Sequence, residues 1–165
     1  MYTFRIDKRD FTVGDKILPQ NVYQNRLDAK RRLVEDILEQ FRPENKPARN
    51  SILMVFELLN DAKELWWKIS DSKLYKTEIL ETEILHIGDY NKVEELYKCI
   101  LEGRNGDLIA QEYWNSILTE NPIIEIFVNQ ATVSEVFSNP VQERHSILAK
   151  KIGTSISDIQ IIEDD

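Results

Sequence analysis

Residues 51–58, SILMVFEL, hold a continuous apolar run of strand length. Such a run predicts a central strand buried on both faces. With 165 residues the chain is long enough for one real core and short for two, so a single domain over 1–165 is expected. Hydrophobic residues make up 42% and charged residues 30%, a balance that suits a globular protein and argues against long disorder.

The other elements follow from periodicity and punctuation. Alternating aromatic and β-branched residues predict a strand over 2–7. Gly14 and Pro19 punctuate a loop, and NRLDAKRRLVEDILEQF (25–41) is the clearest helix. Its apolar stripe is Leu27, Leu33, Val34, Ile37, Leu38 and Phe41, with the charges opposite, and Pro43 and Pro47 end it. A helix over 61–70 is expected to be capped by Asn60 or Asp61. Two strands, 73–79 and 82–88, split near Glu81, and helices over 91–103 and 107–118 follow. Residues 123–128 read as a strand, TVSEVF (132–137) as a turn or single helical turn, and 140–152 as a terminal helix stopped by Gly153. SISDIQII (155–162) is a last candidate strand. The elements interleave without a regular βαβ rhythm or a glycine-rich phosphate loop, which favours α+β over a doubly wound sheet.

Net charge is −8, but the first fifty residues hold 11 Lys/Arg against 8 Asp/Glu and the remainder 10 against 21. So acidic a chain is not an obvious nucleic-acid binder. Its basic first third either reflects one basic helix or faces an anionic ligand. The N-terminus lacks a secretory pattern and no apolar run approaches the ~20 residues of a membrane span, so no membrane partner is expected. The single Cys99 has no internal disulfide partner, which together suits a cytoplasmic location. Cys99 lies on an apolar helix stripe, as a buried structural thiol would. His86 and His145 lack second ligands at metal-site spacing. Adjacent Trp66 and Trp67 cannot share one helix face, so one of them is expected to be partly exposed.

Two charges break the strand patterns. Arg5 sits mid-strand between Phe4 and Ile6, on the face of Thr3 and Asp7. Glu125 shares a face with Ile123 and Phe127, while Ile124, Ile126 and Val128 point the other way. A buried charge needs a partner. Each is therefore either a structural ion or a cleft residue, and a planar guanidinium suits phosphate or ribose oxygens.

A first strand with a central arginine, a proline-rich turn leading into an apolar strand and helix, and a late strand with an embedded glutamate resemble the ADP-ribosyltransferases. IIEIFVNQATVSEVF is similar to the late strand and turn of DarT-type DNA ADP-ribosyltransferases. KPARNSILMVFELLNDAKELWWKI, LYKTEI and AQEYW resemble a related uncharacterised bacterial family. The likeness spans roughly 2–137, leaving 138–165 as a C-terminal extension. It implies an α+β fold with a split β-sheet and flanking helices, and NAD as the cofactor.

In that chemistry a carboxylate stabilises a cation-like ribose as the nicotinamide bond breaks. Glu125 is then the catalytic candidate and Arg5 the leading NAD-binding one, with Arg49, Ser51 and Tyr113 as further candidates. Tyr75, Tyr113 or Trp114 would pack on the nicotinamide. The family often carries a serine within the central strand, whereas Ser51 lies at its edge. Many members of the uncharacterised family lack the late-strand glutamate, which makes Glu112 the rival catalytic candidate. The resemblance further implies a bacterial toxin or phage-defence effector acting on nucleic acid or protein, with an antitoxin as a candidate partner. Against it stand a non-catalytic acidic protein-interaction domain, with Arg5 and Glu125 as structural ions, and an NAD-consuming hydrolase using water as acceptor.

Overall fold

A computed structural model of the chain describes residues 1–20, 27–69, 71–137, 145–150 and 153. Seven strands form one antiparallel sheet: β1 (Tyr2–Asp7), β2 (Lys16–Ile17), β3 (Leu53–Phe56), β4 (Lys73–Glu78), β5 (His86–Asp89), β6 (Ile124–Val128) and β7 (Ala131–Val136). Their order is β2-β7-β4-β1-β3-β6-β5. Helices α1 (Ala29–Gln40), α2 (Leu59–Trp66), α3 (Tyr90–Leu101) and α4 (Asp107–Trp114) complete a mixed α+β architecture, and residues 145–150 are also helical.

The helices share one face of the sheet. There Val34, Leu38, Val93, Leu96, Tyr113 and Trp114 pack on Phe127, and Ala62, Leu65 and Trp66 of α2 pack on Ile6 and Leu74. The opposite face buries Ile17, Leu53, Val55, Tyr75, Ile126 and Val133. Among the described residues no helix adds a buried residue to this second cluster, so strands β2, β3, β4, β6 and β7, with the adjoining Ile79, bury it against one another. The alternation expected of 123–128 holds: Ile126 and Val128 join the strand-only cluster while Phe127 faces the helices.

Several expectations need correction. Residues 131–136 are a full strand, because Ala131 and Val133 are buried at period two while Thr132 and Ser134 are only half-buried. Within the expected loop after Gly14, Lys16–Ile17 pairs with β7. Leu58 occupies the N-cap of α2 without a side-chain bond, which puts Asp61 inside the first turn. Helix α4 stops at Trp114, and Ser116 adopts positive φ just after it. On β3 only Leu53 and Val55 are fully buried; Met54 and Phe56 stay partly open because they floor a cleft. On α1, Leu33 is exposed while Glu35 is buried, so the buried stripe contains a carboxylate. Trp66 is buried and Trp67 partly open, and Cys99 is buried. The expected strand at 155–162 and the rest of the terminal helix lie outside the described residues.

β1 pairs with β4 at six positions but with β3 at one, Phe4 opposite Phe56. The main-chain ladder gives way there, and the Arg5 guanidinium takes its place, donating from Nη1 to the Met54 carbonyl at 2.8 Å. The sheet is therefore continuous at β1–β4 and nearly parted at β1–β3.

Because Ile126 is sandwiched in the strand-only cluster, Ile126→Ala should lower unfolding free energy by about 2–5 kcal/mol. Urea titration at neutral pH measures this directly.

Candidate functional site

The parted β1–β3 seam opens into a cleft of about 470 Å³ between α2 on one side and α1 with α3 on the other. Register puts Glu125 opposite Phe56, on the helix-bearing face. Arg5 alternates with Phe4 and therefore belongs to the other face. The two nevertheless border the same cleft, because Arg5 reaches into the seam between the strands.

Glu125 lies at the floor, 1% exposed. Its Oε1 accepts two hydrogen bonds, from Arg49 Nη1 and from the Tyr113 hydroxyl. Oε2 accepts none from any described residue. Arg49 stands in the short 3₁₀ turn Arg49–Ser51, donates from Nε to Glu35 Oε2 at 2.9 Å and from Nη1 also to the Tyr113 hydroxyl. Glu35 and Arg49 are 6% and 4% exposed. Burial, with Glu125 alongside, drives the Tyr113 hydroxyl well above its ordinary pKa, against the opposing charge of Arg49. Gly88 faces Glu125 across the β5–β6 ladder. A Cβ at Gly88 would lie 2.6–2.7 Å from the Tyr113 ring and 2.9 Å from its hydroxyl, so only glycine lets that ring cross the strand to reach the carboxylate.

The walls carry paired charges. Asp7 receives Arg5 Nε at 3.1 Å and three bonds from Arg9 at 2.9–3.0 Å. Burial raises the Asp7 pKa, but Arg9 and Arg5 outweigh it and hold the carboxyl below its ordinary value. Across the cleft, Arg31 forks onto both oxygens of Glu94 at 2.8 and 3.1 Å and lies 3.8 Å from the Tyr97 ring centroid. Burial likewise opposes, and the hydrogen bonds from Arg31 and Tyr90 win, leaving Glu94 lowered. Among the described residues the lining holds six cations (Arg5, Lys8, Arg9, Arg31, Arg49, Lys68) against four carboxylates. Five of the six come from the basic first fifty residues. In a chain of net charge −8, the lining of this cleft carries an excess of cations.

Of the candidates read from sequence, Arg5, Arg49 and Glu125 meet at this cleft. Tyr113 joins them from beneath, fully buried, as a hydrogen-bond donor to Glu125 and not as a stacking platform. Tyr75 and Trp114 are also buried, bonded to the Arg9 and Leu38 carbonyls, so neither can pack on a ligand. Among the described residues, the aromatic rings that line the cleft are Phe56 and Tyr90, edge-to-face at 6.1 Å. Ser51 is exposed and donates to the Ala48 carbonyl at 3.0 Å, away from the lining. Glu112 pairs with Lys92 Nζ at 2.6 Å on α4, also outside the cleft. Sequence reading missed Glu35, Arg9, Arg31 and Tyr90. Glu35 had a signal of the same kind as Glu125, a carboxylate three residues before the buried Leu38 on an amphipathic helix.

No protein-family model matches this chain, and no curated protein matches it significantly. No helix among the described residues is long and apolar enough to cross a membrane.

His86 sits behind the network, with its ring 5.0–5.4 Å from Trp114, Phe127 and Tyr113. Neither nitrogen makes a hydrogen bond of ordinary geometry to a described residue. Burial first, then the charges of Lys46 and Arg49, push its pKa from 6.5 down to about 4, against a smaller contribution from the Tyr113 main chain. The unfolded imidazole therefore takes up a proton that the folded one refuses. Stability is complete above pH 6.5 and falls as pH drops towards 4, by up to about 3 kcal/mol. The depressed carboxylates Asp7 and Glu94 lose their contribution only at and below the ordinary carboxylate range. Asp61, raised by burial and neighbouring carboxylates, gains stability as pH falls, so a decline between pH 7 and 5 belongs to the histidine. Urea midpoints across that interval should decline in the wild type and stay flatter in His86→Phe.

Proposed function

We propose that this protein is an NAD-dependent ADP-ribosyltransferase working in the β1–β3 cleft. One observation carries the reading: a carboxylate with one uncommitted oxygen, Glu125, borders the same cleft as the strand arginine Arg5. Cleft volume falls in the range of small-molecule sites. Its cationic bias suits a pyrophosphate, and the nearly parted seam supports the split-sheet arrangement that the sequence resemblance implies. Arg5 and Arg9, now shared with Asp7, are the groups to hold phosphate oxygens, and among the described residues Phe56 and Tyr90 are the lining rings that a nicotinamide would meet.

In the reaction the ribose C1′–nicotinamide bond breaks and nicotinamide leaves with the electron pair. The acceptor's lone pair then forms the new bond to C1′ and its proton passes to solvent. Glu125 Oε2 would accept from a ribose hydroxyl and stabilise the positive charge that develops on the sugar. Glu125 is preferred to Glu112, whose carboxylate is engaged by Lys92 outside the cleft. The acceptor class, nucleic acid or protein, and a toxin or phage-defence role with an antitoxin partner, extend the same reading.

Internal pairing of Glu125 with Arg49 favours the competing reading, a non-catalytic interaction domain in which these charges are structural. Incubation with labelled NAD⁺ and lysate, followed by separate nuclease and protease digestion, decides between them: released label supports the transferase and names the acceptor class. Glu125→Gln should retain the fold, because the amide oxygen still accepts from Arg49 and Tyr113 and Glu35 still pairs with Arg49. It should bind NAD⁺ near-normally yet transfer about 100- to 1000-fold more slowly. Full transfer by this variant would refute the assignment. Arg5→Ala should weaken NAD⁺ binding about 10- to 100-fold by calorimetry.

A further inference from the structure

We propose that Tyr113, Arg49 and Glu35 are positioning residues that fix Glu125, so that Oε1 belongs to the fold and Oε2 alone is left for a ligand. The rate readouts rest on the transferase reading; the geometric readout does not.

Four groups from four separate elements converge: Glu35 of α1, Arg49 of the 3₁₀ turn, Tyr113 of α4 and Glu125 of β6. All are less than a tenth exposed. A core that needed only stability would be served as well by apolar side chains, since desolvating two carboxylates and a guanidinium offsets most of their attraction. The connectivity is directional. Arg49 Nη1 donates to the Tyr113 oxygen, and Tyr113 spends its one proton on Glu125 Oε1. Arg49 Nη1 reaches that same Oε1, while Nε is tied back to Glu35. Both donors thus act on the same carboxylate oxygen. Rotation of the carboxylate would break two hydrogen bonds, and retreat of the Tyr113 hydroxyl is limited by the ring's seat against Gly88. A linked chain of this kind holds an orientation better than isolated pairs do. Orientation of the reacting carboxylate is what a transfer step requires, since a displacement of about 1 Å can cost about 100-fold in rate.

Tyr113→Phe tests this, because it deletes the hydroxyl and keeps the ring against Gly88. The side-chain carboxyl ¹³C resonance of Glu125, assigned by its loss in Glu125→Gln, should move in Tyr113→Phe, while the urea midpoint shows a folded protein. Transfer should fall about 100-fold in kcat at nearly constant NAD⁺ affinity. The Tyr113→Phe/Glu125→Gln double variant should be no slower than Glu125→Gln alone, the signature of residues acting as a unit. An unmoved resonance, an unchanged kcat or an additive double loss would overturn the proposal. Should the wild type transfer no label at all, the transferase reading fails by itself. The resonance then decides alone: a shift supports positioning and its absence refutes it. If Tyr113→Phe does not fold, Glu35→Gln supplies the same readouts through Arg49.

Discussion

One guanidinium, that of Arg49, is shared between two buried carboxylates, and the helix-bearing half of the molecule is organised around it. Glu35 can face inward on α1 only because Arg49 receives it at 2.9 Å. Glu125 can occupy an otherwise apolar strand face only because Arg49 and Tyr113 meet it there. Removing Arg49 would leave two buried carboxylates without their shared partner, which costs more than the intact pairs contribute. The same requirement explains a backbone feature: Gly88 is the one residue type that lets the Tyr113 ring pass over β5 to the carboxylate.

The second constraint is the weak seam between β1 and β3. A complete ladder there would seal the sheet and leave Arg5 and Glu125 on opposite faces with no shared space. Replacing that ladder by a single strand pair and one side-chain bond from Arg5 to Met54 opens a cleft whose floor includes both residues. It also accounts for the partial exposure of Met54 and Phe56 on a strand otherwise made for burial. Basic side chains gather at this opening, balanced in part by Asp7 and Glu94. An incoming anion would therefore exchange with carboxylates already in place instead of meeting bare cations.

Local sequence determined most of the elements. Period-two alternation places β1 and β6, the apolar run places β3, and helical spacing places α1 to α4 within a few residues. Their boundaries shifted where a cap or turn was set by neighbours, as at Leu58 and Ser116. Strand β7 was missed although Ala131 and Val133, buried on either side of the half-buried Thr132, carry the alternation; the hydroxyl and acidic residues Thr132, Ser134 and Glu135 read as a turn until β4 supplied the pairing. Arg5 and Glu125 stood out in sequence because a charge in a strand interior conflicts with its pattern.

What the sequence could not determine is who meets whom. Arg49 lies 14 residues from Glu35 and 76 from Glu125, separations that carry no local signal. Arg5, the arginine that the strand pattern singled out, turned out to hold Asp7 and a main-chain carbonyl, whereas the glutamate's partner came from a turn beside a proline. Tyr113 and Trp114 are neighbours with the same aromatic promise. Only packing sends one hydroxyl to Glu125 and the other ring's N–H to Leu38. Periodicity is a property of a segment and is legible in it. The pairing of buried charges depends on desolvation by elements far apart in the chain, and so it exists only once the sheet and helices have closed around them.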